Sequence, residues 1–147
     1  MNAISAYIED QFTAALQKSC EIAGGDVDEA IIQIGTGYVS FMVQHPDFLK
    51  YHTNTMKSQM FQLHDLKEKS VESYEIFRCT ALAFLKKHDC PKAEYQKEIL
   101  FMWSLVMGLS NMFAYKIIDS QEEALKTAEE IIRREINLRC MRSAYSR

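Results

Sequence analysis

The stretch ILFMWSLVMGLSNMFAY, running from Ile99 to Tyr115, carries no formal charge and decides how the rest of the chain is read. Lys116 closes it short of the roughly 20 apolar residues that a membrane-spanning helix requires. Ser104, Gly108, Ser110 and Asn111 also interrupt its apolar character. The segment therefore reads as a helix that is apolar nearly all round, buried among other helices or in an interface. Trp103, Met107 and Asn111 follow one another at steps of four and share one face.

Helical spacing extends in both directions from this segment. Downstream, Ser120 and Glu123 form a Ser-x-x-Glu capping box that opens a helix to about Leu138. Ala124, Leu125, Ala128, Ile131, Ile132 and Ile136 give that helix an apolar face, with Glu early and Arg late, as the helix dipole favours. The tail from Cys140 to Arg147 is expected to fray. Upstream, Asp89-Cys90-Pro91 is a break, and the apolar helix is expected to span about Lys92 to Ile118.

The first helix reads from Ala3 to Ala23 and ends at Gly24-Gly25, since glycine accepts the left-handed cap conformation. Asp26 with Glu29 is a capping-box arrangement opening the second helix. Gly35 and Gly37 lie inside it, and close approach of a neighbouring helix is the expected reason. His45-Pro46 ends it, and Pro46 begins the third helix. Asp65 with Glu68 is expected to cap a fourth helix that ends at His88. No run of alternating apolar and polar residues is long enough for a strand, so the fold class is all-α, with about six helices in a bundle.

The totals agree. The chain has 147 residues, 48% hydrophobic and 25% charged, with only 5 Gly and 2 Pro, which fits one helical domain and argues against a turn-rich β sandwich. The net charge of −3 argues against a chain that grips nucleic acid by itself. Cys20, Cys79, Cys90 and Cys140 form no C-x-x-C pair, and the N-terminus has no export signal, so free thiols and a cytoplasmic location are expected.

Catalytic and metal patterns are lacking at the level of spacing. No two of His45, His52, His64 and His88 stand at i and i+4, and no Glu-x-x-His unit occurs. His88, Asp89 and Cys90 are adjacent, but neighbours on a turn rarely point at one another. No enzyme, metal or cofactor is therefore expected. The chain is instead rich in soft side chains, with 8 Met, 8 Phe, 7 Tyr and 1 Trp. Helix spacing gathers Tyr38, Phe41 and Met42 in the second helix and Met56 and Met60 in the third. Tyr74 and Phe77 fall in the fourth, and Trp103, Met107 and Asn111 in the apolar helix. An apolar pocket with the Asn111 amide as its orienting polar group is the expected ligand site.

Two segments resemble the regulatory domain of the tetracycline-repressor (TetR) family. Tyr38-Val39-Ser40-Phe41 followed by His45-Pro46 resembles its Y-x-x-F … H-P segment. Trp103 to Leu109 resembles its Trp-x-x-x-His-Gly-Leu segment, with Met107 standing where the family has His. The resemblance implies a homodimer, a small hydrophobic effector in each protomer, and DNA bound only through an N-terminal helix-turn-helix head. No basic stretch of that kind occurs, and the first helix resembles the one that follows such a head. The expected interface combines Gly108, Leu109 and Met112 with Ala124, Leu125, Ala128, Ile131 and Ile132. The alternative expectation is a freestanding, headless helical interaction module that pairs with itself or with a full-length relative.

Overall fold

The structure is a computed structural model that describes residues 3–61 and 72–141, with side chains described for 7–53 and 72–141. The described residues form six α-helices and no strand: α1 (Ala3–Ile22), α2 (Val27–Gln44), α3 (Pro46–Phe61), α4 (Glu72–Lys87), α5 (Tyr95–Ala114) and α6 (Gln121–Met141). A 3-10 turn, Lys92–Glu94, leads into α5. No helix among the described residues is long and apolar enough to cross a membrane. The expected cap at Asp65 and Glu68 lies outside the described residues.

Local chemistry sets the helix ends. Gly24 and Gly25 take positive φ values of 60° and 92°, and the Gly24 N–H donates to the Glu21 carbonyl. Asp26 caps α2 by accepting from the N–H groups of Asp28 and Glu29. The reciprocal half of that capping box is given up, because the Glu29 carboxylate instead accepts from both guanidinium nitrogens of Arg133 on α6, at 2.9 and 3.1 Å. Ser120 Oγ accepts from the Glu123 N–H at 3.2 Å, as its spacing foretold.

Two helices close with a non-glycine residue in the left-handed region. At the end of α4, Asp89 has φ 58°, its N–H donates to the Lys86 carbonyl, and the Cys90 N–H reaches back to Leu85. At the end of α5, Lys116 has φ 58°, its N–H donates to Phe113, and the Ile117 N–H reaches back to Met112. Both are Schellman closures. The second stops α5 at Ala114, four residues before the expected Ile118, and the 3-10 turn starts it later than Lys92. In contrast, α6 runs past Leu138 to Met141 and includes Cys140, where fraying was expected.

The centre of the bundle is α2, which packs against all five other helices. Its glycines are where neighbours come close. A methyl group placed on Gly35 would stand 3.3 Å from Ile132 Cγ2 of α6 and 3.5 Å from Val106 Cγ1 of α5. One placed on Gly37 would stand 2.5 Å from the Ser19 hydroxyl oxygen of α1. α5, despite its apolar composition, keeps an uncovered side on which Leu100, Phe101 and Met112 are exposed. The buried apolar side chains form one continuous cluster drawing on all six helices.

Candidate functional site

Where α1 to α5 converge, the structure builds a chamber of aromatic rings around one imidazole. α2 turns Tyr38 and Met42 inward on one face. Phe48 and His52 follow at i and i+4 on α3, α1 adds Phe12, α4 adds Tyr74 and Phe77, and α5 adds Trp103. Trp103 is ringed edge-on by Tyr38, Tyr74 and Phe77 at centroid distances of 5.4, 5.1 and 5.2 Å. Phe12 bridges Tyr38 and His52, each at 5.2 Å. These are the offset and edge-to-face separations that aromatic pairs favour.

The polar atoms in the chamber are few. The Tyr38 hydroxyl donates to Met107 Sδ at 2.8 Å. Burial, reinforced by the negative charge of Glu9, raises the Tyr38 phenol well above its ordinary range, so it stays a neutral donor. His52 is 1% exposed, and neither ring nitrogen has a hydrogen-bond partner among the described residues. Burial pushes its pKa down from 6.5 to about 4, so at neutral pH the ring is uncharged. A neutral imidazole offers one N–H donor and one acceptor nitrogen, and here both are bare. A bare buried polar atom costs about 1–3 kcal/mol, which makes such an atom a marker of a missing partner.

Of the side chains that the sequence grouped as ligand-binding, Tyr38, Tyr74, Phe77 and Trp103 are brought together in this chamber, and Met42 is buried in the same core cluster. Phe41 is half-buried at its edge, against Phe12 at 5.1 Å and stacked on His45 at 4.1 Å. Met107 touches the chamber through the Tyr38 hydroxyl. The side chains of Met56 and Met60 lie outside the described residues. Asn111 is not part of the chamber. Its amide donates to the Met107 carbonyl at 2.8 Å, and it lines an open groove of about 290 Å³ between the start of α3 and the end of α5, beside Lys50, Thr53 and Tyr115. The unpartnered polar side chain in the chamber is instead His52, which the sequence analysis considered only for metal-ligand spacing and did not assign to the site. Its position four residues after Phe48 and four before Met56 was the available signal.

The residues expected at an interface separate into two sets. Ala124, Ala128 and Ile132 lie inside the protomer's own core, where they have no surface to give a partner, and Leu109 is nearly as buried. Leu125 and Ile131 are half-buried against that core. Gly108 and Met112 face outward, and a methyl group placed on Gly108 would meet nothing within 4 Å. Among the described residues, the grouping of His, Cys and Asp with metal-ligand spacing lies away from the chamber, at Asp28, His88 and Cys140. No family model matches the chain, no curated protein matches it in sequence, and no solved structure matches it in fold.

Proposed function

We propose that the chain is the effector-binding and dimerisation domain of a TetR-type transcriptional regulator, and that its effector is a small, neutral, aromatic or lipid-like molecule with one hydroxyl or amide group. The observation that carries this reading is the bare imidazole of His52 inside an aromatic chamber. A ligand hydroxyl or amide satisfies a donor and an acceptor at once, and the surrounding rings supply apolar contact. The two segments behind the family resemblance also meet here, Tyr38 of the first against Trp103 and Met107 of the second. The described rings already touch, so a ligand reaches His52 by displacing one of them. The flexible thioether of Met107 and the half-buried Phe41 are the groups best suited to move.

Dimerisation is assigned to the uncovered side of α5. Phe101, Leu105, Gly108, Met112 and Tyr115 follow one another at alternating steps of four and three, the spacing of a helix–helix seam. Phe101, Met112 and Tyr115 are 41, 53 and 81% exposed in the single chain. A second copy covers them across a two-fold axis. Light scattering is expected to give twice 17.0 kDa, and Met112→Asp is expected to give a folded monomer. A wild-type monomer at micromolar concentration would remove dimerisation from the proposal.

The effector test uses Trp103, the only tryptophan, as reporter. A panel of neutral phenols, aromatic amides and fatty alcohols is expected to include saturable quenchers that also raise the melting temperature, because they bind the native state alone. His52→Phe is expected to weaken those ligands by about tenfold or more while keeping the chain folded. Equal affinity in the variant would sink the effector reading. The second reading, a freestanding helical interaction module, is favoured by the close ring contacts in the chamber. It is the one left standing if the dimer forms and no panel member binds.

A further inference from the structure

Three side chains far apart in sequence converge on one point at the opposite end of α4 from Tyr74. Asp28 comes from the first turn of α2, His88 from the residue that follows α4, and Cys140 from the last turn of α6. His88 Nε2 lies 2.8 Å from Asp28 Oδ1 and 3.6 Å from Cys140 Sγ, and the three donor atoms all lie within 4.8 Å of one another. Both partners approach the same ring nitrogen. A catalytic Cys–His–Asp relay needs the thiol and the carboxylate on opposite nitrogens, so this arrangement is not one. Three different donor atoms facing one point are what a metal ion requires.

We infer that Asp28, His88 and Cys140 form a binding site for a thiophilic divalent cation of the zinc class, clasping α2, α4 and α6 together. The donor set is one sulfur, one imidazole nitrogen and one carboxylate oxygen. It suits zinc or cobalt and disfavours magnesium and calcium, which prefer oxygen alone. Zinc bonds of about 2.0–2.3 Å place tetrahedral ligands on the order of 3.5 Å apart, so the His88–Asp28 contact opens slightly, the His88–Cys140 spacing already fits, and the Asp28–Cys140 separation, within 4.8 Å, adjusts to match. The three ligand residues are each partly exposed, so water can supply the fourth ligand.

The surroundings suit a cation. The closing turn of α4 and the last turn of α6 direct the negative ends of their dipoles at the site, against one positive end from α2. Asp26 adds negative field at Cys140. Lys87 opposes the ion, but its ammonium holds Asp28 Oδ2 at 2.9 Å and leaves Oδ1 toward the site. The Schellman closure through Asp89 and Cys90 fixes the backbone of His88, so the imidazole is delivered without a loop search.

Uptake has a defined proton balance. On binding, His88 Nε2 turns from Asp28 to the ion and gives up any proton it carries, leaving a ring proton on Nδ1. The Cys140 thiol is raised by burial and then by the Asp28 charge, so it is protonated at neutral pH. It loses that proton to solvent when its sulfur binds the ion. The thiolate and carboxylate charges then neutralise the dication.

The experiment is a cobalt titration of the full, reduced chain, followed in the near-ultraviolet for thiolate-to-cobalt charge transfer. A saturable band at one ion per chain is expected, reversed by zinc and by chelator, with proton release. Cys140→Ser should abolish the band, and Cys79→Ser, which removes an exposed thiol, should leave it. His88→Gln should weaken cobalt binding by more than the roughly 10–100-fold that loss of a supporting hydrogen bond behind a ligand costs. Lys87→Ala, which removes the opposing charge, should tighten it. Far-ultraviolet circular dichroism on each variant separates loss of ligand from loss of fold. Zinc should raise the melting temperature of the wild-type chain and leave that of Cys140→Ser unmoved. No charge-transfer band in the wild type, or a band that survives in folded Cys140→Ser, overturns the proposal.

Discussion

The chain contains two histidines in opposite circumstances. His52 is fully buried among rings, with neither nitrogen partnered among the described residues, and His88 sits near the surface with Asp28 and Cys140 around a single nitrogen. Burial drives the His52 pKa down to about 4 and keeps the ring neutral. At the other site burial pushes the Asp28 carboxyl up, but hydrogen bonds and charge from His88 and Lys87 outweigh it and the net shift is downward. One site holds a polar group that apolar packing left without a partner. The other holds polar groups that satisfy one another, with Lys87 and Asp28 as an ion pair. We propose a neutral ligand for the first and an ion for the second, and neither environment belongs to histidine as a residue type.

The largest expected difference between the two regions is in stability. Trp103→Ala removes the ring against which Tyr38, Tyr74, Phe77 and His52 pack, and should cost about 3–5 kcal/mol in denaturant unfolding followed by circular dichroism. A loss under about 1 kcal/mol would mean that the chamber is loose and does not organise the core.

The next effect is one of pH. The unfolded chain protonates His52 near 6.5 and the folded chain only near 4, so between these values the unfolded state binds more protons. Stability should therefore fall as pH drops from about 6.5 to about 4, by up to on the order of 3 kcal/mol, and level off below. His52→Phe should flatten that slope, and should stabilise the chain at neutral pH by about 1–3 kcal/mol, because two bare polar atoms leave the core. Parallel pH–stability curves for the two proteins would break the contrast between the histidines.

The smallest effect belongs to the surface site in the absence of metal. His88→Gln should cost about 1 kcal/mol or less in denaturant unfolding, since its contact with Asp28 is partly exposed. A loss as large as that of Trp103→Ala would show that this corner carries the fold.

Several features were legible because they are local. The Gly24-Gly25 stop, the Asp26 and Ser120 caps and the Pro46 start each rest on backbone groups within four residues. The Schellman end of α5 was not legible, because a left-handed lysine leaves no mark in composition. Gly35 and Gly37 announced a close approach but not which helix made it. Asn111 read as a pocket amide because it shares a face with Trp103, yet it bonds to its own helix and faces a separate groove.

The sequence by itself determined that the chain is helical, where most of its helices begin and end, and which side chains are apolar enough to meet in a core. Those outcomes depend on periodicity and on hydrogen bonds closed within a turn or two. Only the tertiary structure decided that α2 and not α5 is the hub, since apolar content measures a tendency to be buried and not the neighbour that does the burying. It also decided that His52 is bare and that Asp28, His88 and Cys140 meet across separations of 60 and 52 residues. Donor geometry and desolvation act through space, and they are set by how the helices pack rather than by distance along the chain.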